Sequence, residues 1–476
     1  MIVTASGAEV TVRLVLLLFT MAFLAAGPGL CGQPDGAALA ERIEAAFQSQ
    51  AKHNRHLSSD SGVLAWGEST LLDICVWMYR ATGDTRWLDR LVEHADGVFS
   101  TISVGEDGRP GWRTRRYSIA YARVSASPNN KSAARVLPET QEIWAVDAVA
   151  KVTGHAYRLW FPRAGHIVVH DLDTQKELPG SDLEPGKSTE FIPGLSLKLE
   201  GQPQAGDSFL VKTTAPKALD YVVHDGMVLT PIASFISLAL HEPRLASYQP
   251  PARRYLEIIE GRLVHKWDPM WVDLKDNGGV YTAPDDPAQR FAGCALPHNQ
   301  YLALARTFLA LHRATRKPWY YYRAAQMGRF FKANLRLVDS HYEWNYWDPA
   351  IPRDVDGTKM RHPEDTSHGH IDVGFAVDAY EAGHVFTRND TTRLARTLLH
   401  MWNGSPDSPS FGRIVGKKDG EFTAMVDWVR LGAFDAELRS ILGEIVSDWN
   451  NQNAEHALAA AQWLACDAAG WGEGGK

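Results

Sequence analysis

The chain has 476 residues, 45% of them apolar and 22% charged, with a formal net charge of -7. That is a soluble globular composition, long enough for one large repeat-built domain or for two. No basic excess points to nucleic acid or to an anionic membrane surface. The 16 Trp and 15 Tyr exceed what a lean core needs. Aromatic cores between helices explain most of them, while Trp grouped with His, Asn and Glu also suits a sugar ring.

At the N-terminus, Arg13 precedes the apolar run "LVLLLFTMAFLAA", followed by small residues and Pro28. The run is too short to span a bilayer comfortably and fits the apolar centre of an export signal. Residues 1–32 are therefore expected to be removed, leaving a soluble periplasmic or secreted protein. Cys31 lies in "GPGLCG", a poor match to a lipoprotein cleavage site. No later run reads as a membrane span. Cys75, Cys294 and Cys466 would remain, an odd and sparse set that forms no disulfide framework.

Residues 33–156 and 215–476 read as helical. "GAALAERIEAAFQSQA" is amphipathic at helical spacing. "STLLDICVWMYRATGD" and "TRWLDRLVEHADGVFS" form a hairpin turning at Thr82-Gly83-Asp84. The outline recurs at His312–Phe331, where Arg313-Ala314-Thr315 matches Arg80-Ala81-Thr82, and again over Ala379–Trp402. "IWAVDAVAKVTGHAY" repeats its first half. Recurring hairpins predict helices stacked in series. The expected fold is mainly α, an (α/α) toroid of helical hairpins, with an open solenoid as the alternative. Residues 157–214 break the pattern: "YRLWF", "HIVVHDL" and "DSFLVKT" alternate between Pro-Gly and Gly-Asp turns. They predict a small inserted antiparallel β module.

Five clusters could carry chemistry. "GVLAWGES" holds Trp66, Glu68 and Ser69; "YVVHDGMVLTPIASF" holds His224 and Asp225; "CALPHNQYLALA" holds His298, Asn299 and Gln300. "HYEWNYWDP" offers Tyr342, Trp344, Asn345, Tyr346 and Trp347. "HPEDTSHGHIDVGFAV" offers Glu364, Asp365, His368, His370 and Asp372. Four of the five run straight into an apolar helix, so in a stacked-helix fold they can face one groove. Ser69, Asp225, Asn299 and Asp365 are also plain N-cap candidates.

In the last cluster, a helix starting near Thr366 sets His368 and Asp372 one turn apart on one face, with His370 elsewhere. The pair reads as an acid–base dyad, as two ligands of a metal completed by His224 or His298, or as a polar helix start. Neither HExxH nor CxxC occurs, and no metal or other cofactor is expected. Glu68, Glu343, Glu364 and Asp365 leave a glycoside hydrolase open. The His, Asn, Gln and Tyr inventory suits β-elimination on a uronic acid, where the sugar carboxylate is neutralised and a Tyr or His moves the proton. No GxSxG, phosphate loop or dinucleotide fingerprint appears.

The runs "LPHNQYLALA", "YEWNYWDP" and "EDTSHGHIDVGFAVDAY", in that order, resemble exported bacterial polysaccharide lyases of the α/α-toroid type. Glucuronan and alginate lyases are closest in character, and uronate C5-epimerases more distant. The resemblance covers about residues 60–150 and 220–440. It implies an acidic polysaccharide substrate, with His298, Asn299 and Arg361 at its carboxylate and Tyr346 and His368 transferring protons. Trp66, Glu68, His224, Asp225, Gln300, Tyr342, Trp344, Trp347, Glu364, Asp365 and Asp372 complete the expected substrate-binding set. The β module departs from the simplest barrel. The string "GLSLKLEGQPQAGDSFLV" resembles a β segment of flagellar hook-associated proteins.

Overall fold

A computed structural model describes residues 35–140, 142–143, 146–182, 184–354, 361–404 and 410–472. The expected export signal lies outside the described residues.

Two bodies make up the fold. The helical body contains α1 (Gly36–Ala51), α2 (Ser69–Thr82), α3 (Arg86–Ser100), α4 (Val222–His241), α5 (Gln249–Ile258) and α6 (His298–Thr315). It continues with α7 (Pro318–Ala333), α8 (Thr366–Glu381), α9 (Arg388–His400), α10 (Ala436–Asp448) and α11 (Ala454–Ala468). Five of these pack side by side in the order α11, α2, α4, α6, α8, and the 3-10 turn Trp428–Ala433 touches both α8 and α11. Four of the other helices lean on this row: α1 on α11, α3 on α2, α5 on α4 and α7 on α6.

Local sequence explains the division. In α1 only Leu39, Ile43, Ala46 and Phe47 are buried, a single stripe, and Asp35 caps its start by accepting from the Ala37 N–H. By contrast α4 is apolar on nearly every side, and both α4 and α6 are buried along most of their length. They touch at Gly226, where a Cβ would come within 2.4 Å of the Ala303 carbonyl carbon. The α2–α3 hairpin turns on Gly83 at φ 69°, and the α6–α7 hairpin on Arg316 at φ 59°, as the repeat predicts. Helix α4 is long and apolar enough to cross a membrane, contrary to the sequence expectation, but 78% of its apolar window is buried within the protein.

The β body contains β1 (Ala120–Ala126), β2 (Arg135–Pro138), β3 (Glu142–Ile143), β4 (Ala156–Arg163), β5 (His166–Asp171), β6 (Lys176–Asp182), β7 (Ser188–Ile192), β8 (Leu195–Glu200) and β9 (Ser208–Thr214). A six-stranded antiparallel sheet runs in the order β3-β1-β9-β4-β5-β6, and a three-stranded one in the order β2-β8-β7. Alternate residues face inward, among them Ile167 and Val169 on β5 and Leu195, Leu197 and Leu199 on β8. These belong to a hydrophobic core separate from that of the helices. Buried Asp207 ties the β8–β9 turn to residues 131–132 by accepting from the Gln204 and Lys131 N–H groups and the Ser132 hydroxyl.

The expectation of a mainly α toroid with a small β insert is therefore wrong. Half of the structure is helical and a fifth is strand, in several sheets. The β body begins at Ala120 rather than near residue 157, and "IWAVDAVAKVTGHAY" gives strand and a single helical turn, not a hairpin half. Short runs such as "AYARVSA" and "RVLP" are too brief to show a period, so the flanking helices governed the reading.

Candidate functional site: a polar and aromatic groove at the helix starts

The row of five helices presents its N-terminal halves to one small cavity of about 70 Å³. Its lining includes Trp66 and Asp73 at α2, Thr230 on α4, Arg306 on α6, Ser367 and His370 on α8, and Glu455 on α11. The common placement of loop-to-helix junctions, expected from sequence, is what builds this end of the molecule.

Beside the cavity stand two groups of rings. In the first, Trp66, Tyr117 and Tyr221 surround His224 at centroid distances of 5.7, 5.2 and 5.0 Å. Burial lowers the His224 pKa to about 3, so this ring is neutral, and Nδ1 lies 2.8 Å from the Ser61 hydroxyl. In the second, Tyr346 stacks on His362 at 5.1 Å and sits 5.5 Å from His368. Gln300 hydrogen bonds the Tyr346 side chain, whose pKa burial pushes up to about 12. Exposed Arg290 acts electrostatically on both Tyr221 and Tyr346.

His368 does not pair with Asp372. Its Nδ1 lies 2.5 Å from Asp365 Oδ2, while Asp365 Oδ1 caps α8 by accepting from the His368 N–H at 2.8 Å. The N-cap position explains the correction, since a cap carboxylate already reaches back over the first turn. Burial opposes ionisation of Asp365, but its hydrogen bonds from His368 and Ser367 hold the carboxyl well below the usual range. An ionised Asp365 favours the His368 tautomer with the proton on Nδ1. Nε2 then carries the lone pair, and it has no hydrogen bond among the described residues. The His368 side chain is 42% exposed.

Asp372 instead lies in the core with Glu364. It accepts from the Trp344 indole at 2.9 Å, and the two carboxyls interact through their remaining oxygens, which have no other partner. Burial raises both, Asp372 to about 8 against the lowering effect of its bonds to Trp344 and Glu364, while the Asp372 charge raises Glu364 further, so one proton is shared between them. The pair holds protons that the unfolded chain releases near the ordinary carboxylate pKa. Its stabilising effect is complete below that pKa and fades as pH rises toward about 8. Glu364→Gln, which supplies the missing donor without the charge, is expected to be more stable than wild type at about pH 9 by on the order of 2 kcal/mol. Thermal melts of both proteins across that range check this; equal pH dependence would rule out the shared proton.

Several of the expected site residues lie in buried contacts. His298 is fully buried, with Nδ1 2.5 Å from the Tyr301 hydroxyl and Nε2 3.2 Å from Asp348, and its N–H donates to the Tyr346 carbonyl. It holds the Tyr346 loop from beneath. Asn299 is buried with its amide oxygen unpartnered. Asp225 accepts from Trp267 at 2.8 Å and pairs with Lys266 at 2.9 Å. Tyr342 donates to Asp390, and Trp347 to the Ala295 carbonyl. Arg361, at the edge, approaches Asp348 at 3.8 Å. Glu68 faces away from the groove and pairs with His94. Of the four N-cap candidates, only Asp365 caps its helix through its side chain.

Sequence reading missed the cavity floor. Arg306 forms a two-pronged ion pair with Asp427 at 2.7 and 2.9 Å and reaches Asp378 at 2.8 Å. Arg430 joins the same acids, and His370 lies 3.2 Å from Asp427. Burial opposes ionisation of Asp427, but Arg306 and His370 keep it charged. Asp73 has no hydrogen bond among the described residues, and burial raises its pKa to about 7. Gly374 makes room for this network, since a Cβ there would lie 2.7 Å from both Arg306 and Asp427. The available signal was a lone charge inside an apolar helical run, as in "STLLDICVWMY" and "YLALARTFLALH". Glu364, Asp365 and His368 also bring three ligand atoms within 4.8 Å of one another.

No family model matches the chain, and no curated protein matches it. Among solved structures, FlgL of Xanthomonas campestris is 15% identical, covering 47% of this chain and 94% of that one, with a TM-score of 0.16. The flagellar junction protein FlgL from Legionella pneumophila is 12% identical, covering 47% and 80%, with a TM-score of 0.17. Flagellar hook associated protein-3 from the same organism is 11% identical, covering 48% and 94%, with a TM-score of 0.15. Likeness at this level carries no argument about fold or function.

Proposed function

We propose that the chain is an exported polysaccharide lyase that cleaves a uronate-containing glycan by β-elimination. The observation that carries the reading is a carboxylate-oriented imidazole, His368 on Asp365, beside a neutral phenol, Tyr346, with their rings 5.5 Å apart. His368 Nε2 takes the proton beside the sugar carboxylate. Arg290, assisted by Gln300, offsets the charge that develops on that carboxylate. As the C–H electrons form the new double bond, the glycosidic C–O bond breaks and Tyr346 protonates the leaving oxygen. Water then returns a proton to Tyr346, and His368 releases its own. A phenol with a pKa of about 12 is neutral at working pH, which suits it as acid rather than base. Trp66, 40% exposed, offers a ring face to a neighbouring sugar.

The test is incubation of the mature protein with glucuronan, alginate and related polyuronates while following the ultraviolet absorbance of an unsaturated product. His368→Ala is expected to remove that absorbance, and silence of the wild type across the panel would refute the proposal. A glycoside hydrolase is the second reading. Of the four carboxylates first considered for it, Glu68 and Glu364 are in the core, while Asp73 and Asp427 line one cavity with pKa values pushed apart. Reducing ends released without unsaturation, and lost in Asp73→Asn, would favour it. An epimerase would change uronate stereochemistry without cleaving the chain, and a non-catalytic glycan-binding protein would bind without turnover.

A further inference from the structure

We propose that His56, Glu68 and His94 form a zinc site, separate from the groove. His56 comes from the 3-10 turn Arg55–Leu57, Glu68 from the π-helical turn Leu64–Glu68 and His94 from α3. Each offers a ligand atom, and these lie within 4.8 Å of one another. Two imidazoles and a carboxylate are a donor set that zinc takes readily, with water in the fourth position.

Two unfilled valences point to the ion. Glu68 is 0% exposed, and one of its oxygens, Oε2, has no hydrogen-bond partner. His56 Nδ1 is likewise buried and unpartnered. Burial of a carboxylate with half its acceptors empty is costly, and a cation removes that cost. The geometry is already closed in: the His56 and His94 rings are 4.6 Å apart, and Gly97 on α3 lets His56 approach, since a Cβ there would lie 2.4 Å from its ring. The short bond between His94 Nδ1 and Glu68 Oε1 holds two donors together in the metal-free state. A π turn packs one extra residue into the helix, a device common at functional positions. Here it places Glu68 on the α3 side while Trp66, two residues earlier, faces the groove. The metal would pin the loop joining α1 to α2 against α3, behind that wall.

The experiment uses the mature protein with any affinity tag removed, loaded with zinc sulfate and desalted. Elemental analysis is expected to find one zinc per chain, and chelation should lower the melting midpoint by about 5 °C or more. Glu68→Gln and His94→Ala should lose the zinc and the chelator effect together. Cobalt(II) loading of the wild type should give visible absorption absent from His56→Ala, a readout that does not depend on polysaccharide cleavage. A wild type without zinc after loading would overturn the proposal. So would variants that fold and keep a full equivalent, because the ion would then sit elsewhere.

Discussion

Tyr346→Phe is expected to lower kcat on polyuronate by about 1000-fold, within the range a positioned proton donor contributes. The phenyl ring keeps the stack on His362, and the backbone contact from buried His298 is untouched. Circular dichroism and melting midpoint should therefore match the wild type. KM should change little, because the hydroxyl acts when the leaving oxygen takes its proton rather than when substrate binds. A fully active Tyr346→Phe would move the acid to another residue. An inactive protein that has also lost its fold would be explained by packing, so stability must be measured on the same sample.

Asp427→Ala is expected to destabilise the protein by about 3–5 kcal/mol, the usual loss when one partner of a buried ion pair is removed. Asp427 is 1% exposed and answers Arg306, Arg430, His370 and Gln462 at once. Without it, Arg306 keeps Asp378 as its one ion-pair partner among the described residues, and Arg430 shares that same acid. Asp427 also adopts φ 56°, a region that Asn tolerates better than Ala. Asp427→Asn should thus lose less than the Ala variant, since its amide oxygen still accepts. Urea midpoints of the three proteins decide this, and a loss under about 1 kcal/mol in Asp427→Ala would show that the network is not supporting the cavity.

How much of this was legible beforehand differs between elements. The hairpins at Gly83 and Arg316 could be read because helical period and turn residues agreed there. The start of α8 at Thr366 was legible for the same reason, since a polar cap precedes an apolar run. The β body was underestimated because its first strands are short and separated by loops, and period needs length to show. His368 was found, but its partner was misassigned. Spacing places Asp372 one turn along the helix, whereas only the cap geometry of Asp365 and the buried demand of Glu364 settle which carboxylate turns outward. His298 and Trp344 drew notice for their chemistry, yet both side chains are fully buried. Conversely Tyr117, Tyr221 and Arg290 belong to segments that meet only through the fold, and nothing local marks them.

Under the proposed function, the groove at the helix starts breaks a glycosidic bond by elimination. This is tested most directly at the newly formed non-reducing end of a cleaved polyuronate, by mass spectrometry with the reaction run in isotopically labelled water. An unsaturated end ring with no label from solvent oxygen at either new terminus is the expected result. Saturated ends carrying solvent oxygen would contradict it and assign the chemistry to hydrolysis.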